Sequence, residues 1–276
     1  MQYTRQPAVA GAFYPGDKEI LASDVNALLK LAQTEVSDNR KHGDQLPPKA
    51  LIVPHAGYIY SGPTAAAAYA RLSSVSDRIK RVILLGPVHR VPIRGLALPG
   101  ADVFATPLGQ IQIDSDAVAA IKSLPQVIES TAAHEQEHSL EVQLPFLQMA
   151  LTDFTLLPLA VGDATPEEVA EVLDVLWGGP ETLIVISSDL SHFLPYQTAQ
   201  LVDGQTTQSI LHLQSTLNHQ QACGGTPVNG LMLAAKRHHL QPQLLDLRNS
   251  GDTAGDKDRV VGYASFAFTE EQTNAN

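Results

Sequence analysis

Three apolar segments of this chain lack polar alternation, and each is followed closely by a histidine. The segments span residues 51–53, 82–85 and 183–186, and the histidines are His55, His89 and His192. Continuous runs of branched residues are typical of strands that are covered on both faces of an α/β sheet. Ligands bind such sheets outside the carboxyl ends of the strands. The pattern therefore predicts an α/β fold whose strand ends bring imidazoles to one crevice, where they form a metal site or an acid–base pair.

The length of 276 residues allows either one large α/β domain or two small ones, and the sequence favours one. No Gly/Ser-rich linker or abrupt change in composition divides the chain. Residues 36–49 are the best candidate boundary, but they come too early to close off a core, so we predict a surface loop there. We expect a single domain over residues 1–268, with a central mixed, mostly parallel sheet flanked by helices, and a frayed tail over 269–276.

The charge and hydropathy of the chain argue against two large classes of function. The chain has 18 Lys and Arg against 29 Asp and Glu, a net charge of −11, and it lacks the basic stripe that a nucleic-acid backbone requires. No apolar stretch approaches the roughly 20 residues that span a bilayer, and the first residues lack a signal-peptide pattern. We therefore expect a cytoplasmic protein without nucleic-acid or membrane partners. A single cysteine, Cys223, excludes an internal disulfide.

Helix signals occur at several places between the predicted strands. Asp114 and Thr165 are predicted N-caps, and Pro166 and Glu168 complete a first helical turn with a capping box after Thr165. Further helices are predicted over residues 62–72, over 139–151 with a bend near Pro145, over 200–217 and over 227–239.

His55 and His89 are the first candidates for function. Each follows a predicted strand, and the small residues Ala56 and Gly57 after His55 let backbone and solutes approach closely. For either histidine alone, a structural role in a loop is an equal alternative. Two histidines at equivalent ends of neighbouring strands favour a shared functional site.

Three further residues lie where they can join this site. Asp189 precedes His192 by three residues, so its carboxylate can orient or charge-balance the imidazole, and a helix cap is the alternative. Cys223 precedes two glycines and a predicted helix start, where the helix dipole favours a thiolate, and a buried apolar cysteine is the alternative. A thiolate beside two imidazoles is a ligand set suited to iron, copper or zinc, with at least one open position.

Residues 134–138, HEQEH, match the H-E-x-x-H motif of zinc proteases. In that motif two histidines one helical turn apart bind zinc, and the glutamate activates water. The context is poor, because no strong apolar stripe precedes His134 and no glycine follows His138 at the extended spacing. The zinc-hydrolase reading is therefore a third alternative, and the simpler interpretation is that His138 and Glu141 line or brace the same crevice.

Seven motifs, in this order, closely resemble the Memo family over nearly the whole chain. They are RQPAVAGAFYPGD, PHAGYIYSGPTAAAAY, LLGPVHR, EHSLEVQLPFLQ, SSDLSHF, CGGTPV and GYASFAF. The resemblance implies a single-domain α/β fold similar to the class III non-haem iron extradiol dioxygenases. It implies metal ligands at His55, His89 and Cys223, with Asp189 and His192 beside the metal as catalytic residues. The thiolate replaces the carboxylate ligand of the dioxygenases and so changes charge donation to the iron.

The resemblance also implies a function. It points to a metal-binding protein with iron at its site, copper or zinc being alternatives, and to dioxygenase-like oxidoreductase activity in which His192 acts as acid and base. The alternative is a non-catalytic module that binds a peptide or protein through the same cleft. The ligand in the cleft would be a small molecule or a peptide. Prokaryotic relatives occur alongside radical-SAM and AMMECR-type proteins, as in the AmmeMemoRadiSam system, which makes such proteins expected partners.

Overall fold

A mixed sheet of nine strands forms the centre of the protein in the computed structural model, which describes residues 3–38 and 46–270. The strands are β1 (Thr4–Arg5), β2 (Ala50–Val53), β3 (Arg81–Pro87), β4 (Leu96–Leu98), β5 (Val103–Thr106), β6 (Gly109–Gln112), β7 (Val127–Glu129), β8 (Thr155–Val161), β9 (Thr182–Ser187), β10 (His192–Leu194), β11 (Leu240–Asn249) and β12 (Val260–Glu270). The helices are α1 (Lys18–Asp38), α2 (Tyr58–Tyr69), α3 (Ser115–Ile121), α4 (Thr131–Glu135), α5 (Leu144–Ala150), α6 (Pro166–Val175), α7 (Tyr196–Leu211) and α8 (Gly225–Arg237).

The strand order of the main sheet is β10-β12-β2-β9-β3-β8-β4-β7, and β11 pairs with β12. The four central strands β2, β9, β3 and β8 are parallel to one another. The flanking pairs β12/β2 and β8/β4 are antiparallel. A second, three-stranded sheet has the order β1-β5-β6. The predicted α/β class with a central mixed, mostly parallel sheet is confirmed.

Apolar side chains are buried on both faces of the main sheet, which explains why its central strands lack polar alternation. In β3, Val82 and Leu84 pack into one apolar cluster with residues of α1 and α2. Ile83 and Leu85 point the other way and pack with residues of α6 and α8. Successive side chains of a strand face opposite sides of the sheet, so each strand must be apolar throughout to fill both cores.

Both predicted N-caps are present. The Asp114 side chain accepts a hydrogen bond from Ala117 N at the start of α3. Thr165 and Glu168 form a complete capping box, and Pro166 is the first residue of α6.

Several predicted boundaries differ from the structure. α2 begins at Tyr58 rather than at residue 62, because the chain enters the helix directly after Gly57 and continues through Pro63. Pro63 has no N–H, so the Ile59 carbonyl lacks its helical hydrogen-bond donor. The helix predicted over 200–217 is α7, which begins at Tyr196 and ends at Leu211.

The helix predicted over 139–151 is instead a short 3-10 turn, Glu141–Gln143, followed by α5. Pro145 lies in the first turn of α5, where its missing N–H costs no helical hydrogen bond, so it produces no bend. The region predicted as a surface loop starts within α1, which extends to Asp38, and residues 39–45 lie outside the described residues. Of the predicted tail, 269 and 270 belong to β12, and 271–276 lie outside the described residues.

No helix among the described residues is long and apolar enough to cross a membrane.

Candidate metal centre

Three histidines meet at the carboxyl ends of the parallel strands. His55 follows β2 and His89 follows β3, and β9 lies between these two strands. His138 comes from the turn after α4. One ring nitrogen from each histidine lies within 4.8 Å of the others. The ring centroids are 5.2 Å apart for His55 and His89 and 4.5 Å apart for His89 and His138.

The His55 ring is held by Ser187, the last residue of β9. His55 Nδ1 lies 2.8 Å from Ser187 Oγ, and this hydroxyl donates its only proton to the Ser139 carbonyl at 2.6 Å. Ser187 Oγ must therefore accept from His55, so the imidazole proton is on Nδ1 and the lone pair on Nε2. Gln143 Nε2 donates to Ser187 Oγ and to the Pro54 carbonyl, at 2.9 Å each, which fixes the hydroxyl in place.

Glu137 holds the other two histidines. Its carboxylate accepts hydrogen bonds from His89 Nδ1 at 2.9 Å and from the His89 backbone N–H at 2.6 Å. It also accepts from the backbone N–H groups of His138 and Ser139 at 2.9 Å each, and His138 Nδ1 lies 3.3 Å from Glu137 Oε1. Burial opposes ionisation, but the hydrogen bond and charge of His89 and these N–H groups lower the pKa of Glu137 to about 2.

The surroundings of His55 and His138 keep these two imidazoles neutral. Burial and the neighbouring imidazoles hold the pKa of His55 well below its usual range. Burial and the charge of His89 lower the pKa of His138 to about 4. A neutral imidazole whose Nδ1 donates to a fixed acceptor presents Nε2 as a ligand, which is the usual arrangement of metal-binding histidines.

Cys223 lies beside this cluster, two residues before α8. Its Sγ is 3.3 Å from His55 Nε2 and 3.9 Å from Ser188 Oγ. Burial, followed by the charge of Asp189, raises the pKa of the Cys223 thiol to about 12. In the absence of a metal ion, burial therefore opposes the thiolate that the helix dipole is expected to favour. The thiol also lies 3.7 Å from the Asp189 carbonyl oxygen.

Asp189 and His192 also reach the cluster, in different roles from each other. Asp189 accepts hydrogen bonds from the backbone N–H groups of His55, at 2.7 Å, and Ala56, so it fixes the turn that carries His55. Burial raises the pKa of Asp189. His192 Nδ1 donates to the Leu190 carbonyl at 2.9 Å, which leaves the Nε2 lone pair free.

The zinc-protease geometry does not form. α4 ends at Glu135, so His134 and His138 do not share a helical face. His134 is buried and its Nε2 donates to the Ala97 carbonyl at 2.8 Å, while Glu135 is exposed. Of the two histidines, only His138 belongs to the metal-binding cluster.

Glu141 braces the site from behind, as predicted. It is fully buried and pairs with Arg5. It also accepts from Tyr14 Oη at 2.6 Å and from the backbone N–H groups of Ala8 and Val9 at 2.8 and 3.0 Å. These contacts tie the N-terminal segment to the turn that carries His138.

A family model described as Memo-like protein matches residues 5–267 of this sequence. The chain belongs to the Memo family. A MEMO1 family protein of Aquifex aeolicus is 36% identical, with 96% of this chain and 98% of the relative covered. A MEMO1 family protein of Metallosphaera sedula is 33% identical, with 96% and 99% covered. A crystal structure of uncharacterized protein JW3007 from Escherichia coli K12 aligns at a TM-score of 0.47 and 14% identity, covering 80% of this chain and 99% of that chain.

The donor set of this Memo-family chain fits a transition-metal ion. Three imidazoles suit zinc, copper and iron, and the thiol adds a softer donor. Two ligands at ordinary Zn–N and Zn–S distances and a tetrahedral angle lie ~3.6 Å apart. The 3.3 Å between His55 Nε2 and Cys223 Sγ is close to that value.

The structure brings His55, His89, Asp189 and Cys223 together and places His192 within electrostatic reach of His55 and Asp189. It adds three residues to the site. The preferred interpretation expected His138 to line the crevice, and only the zinc-hydrolase alternative made it a ligand, whereas Ser187 and Glu137 were not anticipated. Glu137 could have been found from the sequence as the acid directly before His138 in EHSLEVQ. Ser187 carries no comparable signal, since a serine that ends an apolar strand is common.

Proposed function

We propose that this protein is a metal-dependent oxidoreductase whose iron ion is held by His55 and His89 together with His138 and Cys223. The observation that carries the proposal is the convergence of three imidazole nitrogens within 4.8 Å, with Ser187 and Glu137 fixing the outer nitrogens of His55 and His89. Carboxylate and hydroxyl partners of this kind set the orientation and basicity of metal-bound histidines.

Each residue of the site has a definable task. His55 and His89 present lone pairs to the ion, and Asp189 holds the backbone that carries His55. His192 has its Nδ1 proton engaged by Leu190, so its Nε2 is the atom that takes a proton from a substrate and returns it. A bound iron ion supplies Lewis acidity and electron transfer at positions left open to substrate.

Cys223 becomes a ligand only after losing its proton. Burial raises the thiol pKa, and a cation at the site lowers it, because the ion stabilises the thiolate directly. Metal binding by Cys223 therefore releases a proton. Binding by His55 and His138 releases none, since the pKa values of both imidazoles lie below their usual range.

Metal analysis of anaerobically purified protein tests the proposal. The wild type is expected to bind about one iron ion per chain after reconstitution, and His55→Ala is expected to lose it. His138→Ala and Cys223→Ser decide the ligand set, since each is expected to weaken binding. The exposed His212, directly after α7, provides a matched control in His212→Ala, which is expected to bind like the wild type. A wild type that takes up no metal, or a His55→Ala variant that keeps it, would contradict the proposal and favour a binding module.

Oxidoreductase activity is measured separately from metal binding, as oxygen consumption. Iron-loaded protein is expected to consume oxygen in the presence of ascorbate, and His192→Gln is expected to bind iron normally but to consume oxygen more slowly. Equal oxygen uptake by the His55→Ala variant would show that the reaction does not occur at this site.

A further inference from the structure

A cavity of about 460 Å³ opens directly onto the candidate metal centre. Its walls include His89 and Cys223, together with the segment after β3 and the end of β8. Its volume lies in the range of small-molecule sites and is too small for a folded partner. Most of its side chains are apolar, and they are Pro87, Val88, Val91, Pro92, Ile93 and Val161.

Arg90 contributes a positive charge to this cavity. Its side chain is exposed and lines the cavity beside His89, and its charge contributes to the lowered pKa of His138, which places the guanidinium within electrostatic reach of that histidine. Among the residues that the structure describes, Arg90 forms no hydrogen bond or ion pair. An arginine is charged at all physiological pH values and presents a planar set of donors that matches an oxyanion.

Among the described residues, five other arginines pair with a carboxylate, and they are Arg5, Arg81, Arg94, Arg237 and Arg248. Arg90 differs from them in lining a cavity beside the three histidines with its charge unpaired. Asp163 is the one carboxylate among the described residues that lines the cavity, and no ion pair joins it to Arg90. Glu137, beneath His89, already accepts four N–H groups. The donors of Arg90 are therefore available to a ligand.

The wall that carries Arg90 is fixed to the sheet. Val88 N donates to the Val161 carbonyl at 3.0 Å, and Asp163 N donates to the Ile93 carbonyl at 2.9 Å. Gly162 allows this close approach, since a Cβ there would lie 2.3 Å from the Ile93 carbonyl oxygen. A second polar group, His219, reaches the cavity from the segment before α8, and its Nδ1 donates to the Cys223 carbonyl at 3.3 Å.

We propose that this cavity binds a small organic anion, a carboxylate or a phosphate or phosphonate, with its charged group on Arg90 and its apolar body against the valine, isoleucine and proline walls. Arg90 is then the residue that selects the substrate of the metal centre. The assignment of this anion as substrate rests on the proposed function, but binding of the anion to Arg90 needs no metal.

The assignment is tested by measuring anion binding to four proteins, which are the wild type, Arg90→Gln, Arg90→Lys and Arg78→Gln. Arg78→Gln is the matched control, because Arg78 is also exposed, lies outside this cavity, and has a side chain that forms no hydrogen bond or ion pair within the described residues. The probes are benzoate, phenylphosphonate and the neutral benzamide, titrated by calorimetry into iron-loaded and into chelator-treated protein. Iron content is measured on the same samples.

We expect one or both anions to bind the wild type at least about tenfold more tightly than benzamide does. Arg90→Gln is expected to weaken anion binding at least about tenfold in both preparations, Arg90→Lys to restore part of it, and Arg78→Gln to stay within about twofold of the wild type. The benzoate and phenylphosphonate titrations separate a carboxylate ligand from a phosphorus oxyanion. Equal binding of benzamide, equal binding by Arg90→Gln, or no binding of either anion would overturn the proposal. An iron-loaded sample that contains no iron but still binds the anion would count against the proposed metal site and not against the anion site.

Discussion

Glu137 links the two histidines that contribute most of the exposed edge of the metal centre. One carboxylate oxygen lies 2.9 Å from His89 Nδ1 and 3.3 Å from His138 Nδ1. Because its pKa is lowered to about 2, the group is ionised at every pH at which the protein is expected to function. Its negative charge raises the basicity of His89 and His138 towards a cation, as outer carboxylates do in metalloenzymes.

Glu137→Gln is therefore expected to lower iron affinity about 10- to 100-fold while leaving the fold intact. The glutamine amide keeps one acceptor oxygen but loses the negative charge. Its NH2 group then faces N–H groups that donate to the carboxylate in the wild type. A competition titration against a chelator of known affinity measures the loss, with circular dichroism as the check on folding.

Glu135→Gln is the matched control two residues away. Glu135 is exposed, so the Glu135→Gln variant is expected to bind iron like the wild type. If Glu135→Gln weakened iron binding as much as Glu137→Gln does, the loss could not be assigned to the contacts of Glu137 with His89 and His138.

Sequence patterns could predict His55 and His89 because each lies at a fixed offset from a strand that is apolar on both faces. His138 escaped assignment as a ligand since it lies on an irregular turn between α4 and a 3-10 turn, where neither helical nor strand periodicity applies. The position of that turn depends on the burial of Glu141 under the N-terminal segment, more than 120 residues away in sequence. Local pattern carries no information about such a contact.

At the scale of elements, the packing of α6 against α8 depends on a glycine. A Cβ added at Gly230 would lie 2.4 Å from Val169 Cγ1 and 2.5 Å from Val169 Cβ, so the two helices approach closely there. α8 also carries Cys223 and His219 on the segment before it, so its placement on the sheet sets the far wall of the cavity.

Gly230→Ala is expected to destabilise the protein by about 1–3 kcal/mol, because the overpacked methyl must push the helices apart. Gly204→Ala, on α7, is the control, since nothing lies within 4 Å of the added methyl. That substitution is expected to stabilise the protein by about 0.5–1 kcal/mol through helix propensity. Urea unfolding measures both, and a neutral or stabilising Gly230→Ala would mean that α6 and α8 are farther apart than described.

Long elements with strong local signals could be predicted, and short or tertiary-dependent ones could not. The capping box at Thr165 predicted the start of α6, and branched runs located β2, β3 and β9. β5 and β7 were not predicted, since they have only four and three residues and exist through pairing with β6 and β4. The start of α2 was misplaced because the Gly-Pro pair at 62 and 63 favoured a helix start there.

At the scale of the whole molecule, buried neutral histidines make stability depend on pH. The pKa values of His55 and His138 are lowered chiefly by burial, and burial lowers the pKa of His134 to about 4. The unfolded chain protonates these residues near pH 6.5. Between about pH 6.5 and 4 the unfolded state therefore binds more protons than the folded state, so stability falls as the pH falls.

Two buried carboxyl groups act in the opposite direction. Burial raises the pKa values of Asp189 and Asp203, so the folded state takes up protons there before the unfolded state does. Three histidines outweigh these two groups, and the lowered pKa of Glu137 adds to the loss only below about pH 4.5. We expect chelator-treated protein to lose stability steadily from pH 6.5 to pH 5.

His134→Gln isolates one of these contributions without touching the metal ligands. The glutamine amide can still donate to the Ala97 carbonyl, but it does not titrate, so stability near pH 7.5 is expected to change little. Between pH 6.5 and 5 the dependence of the unfolding free energy on pH is expected to fall by up to about 1.4 kcal/mol per pH unit, the value for one proton. Urea unfolding at pH 7.5, 6.5, 5.7 and 5.0 measures the slope, with the exposed His212→Gln as control. An unchanged slope in His134→Gln would mean that His134 is protonated in the folded protein, which its single hydrogen bond to a carbonyl and its otherwise unpartnered Nδ1 argue against.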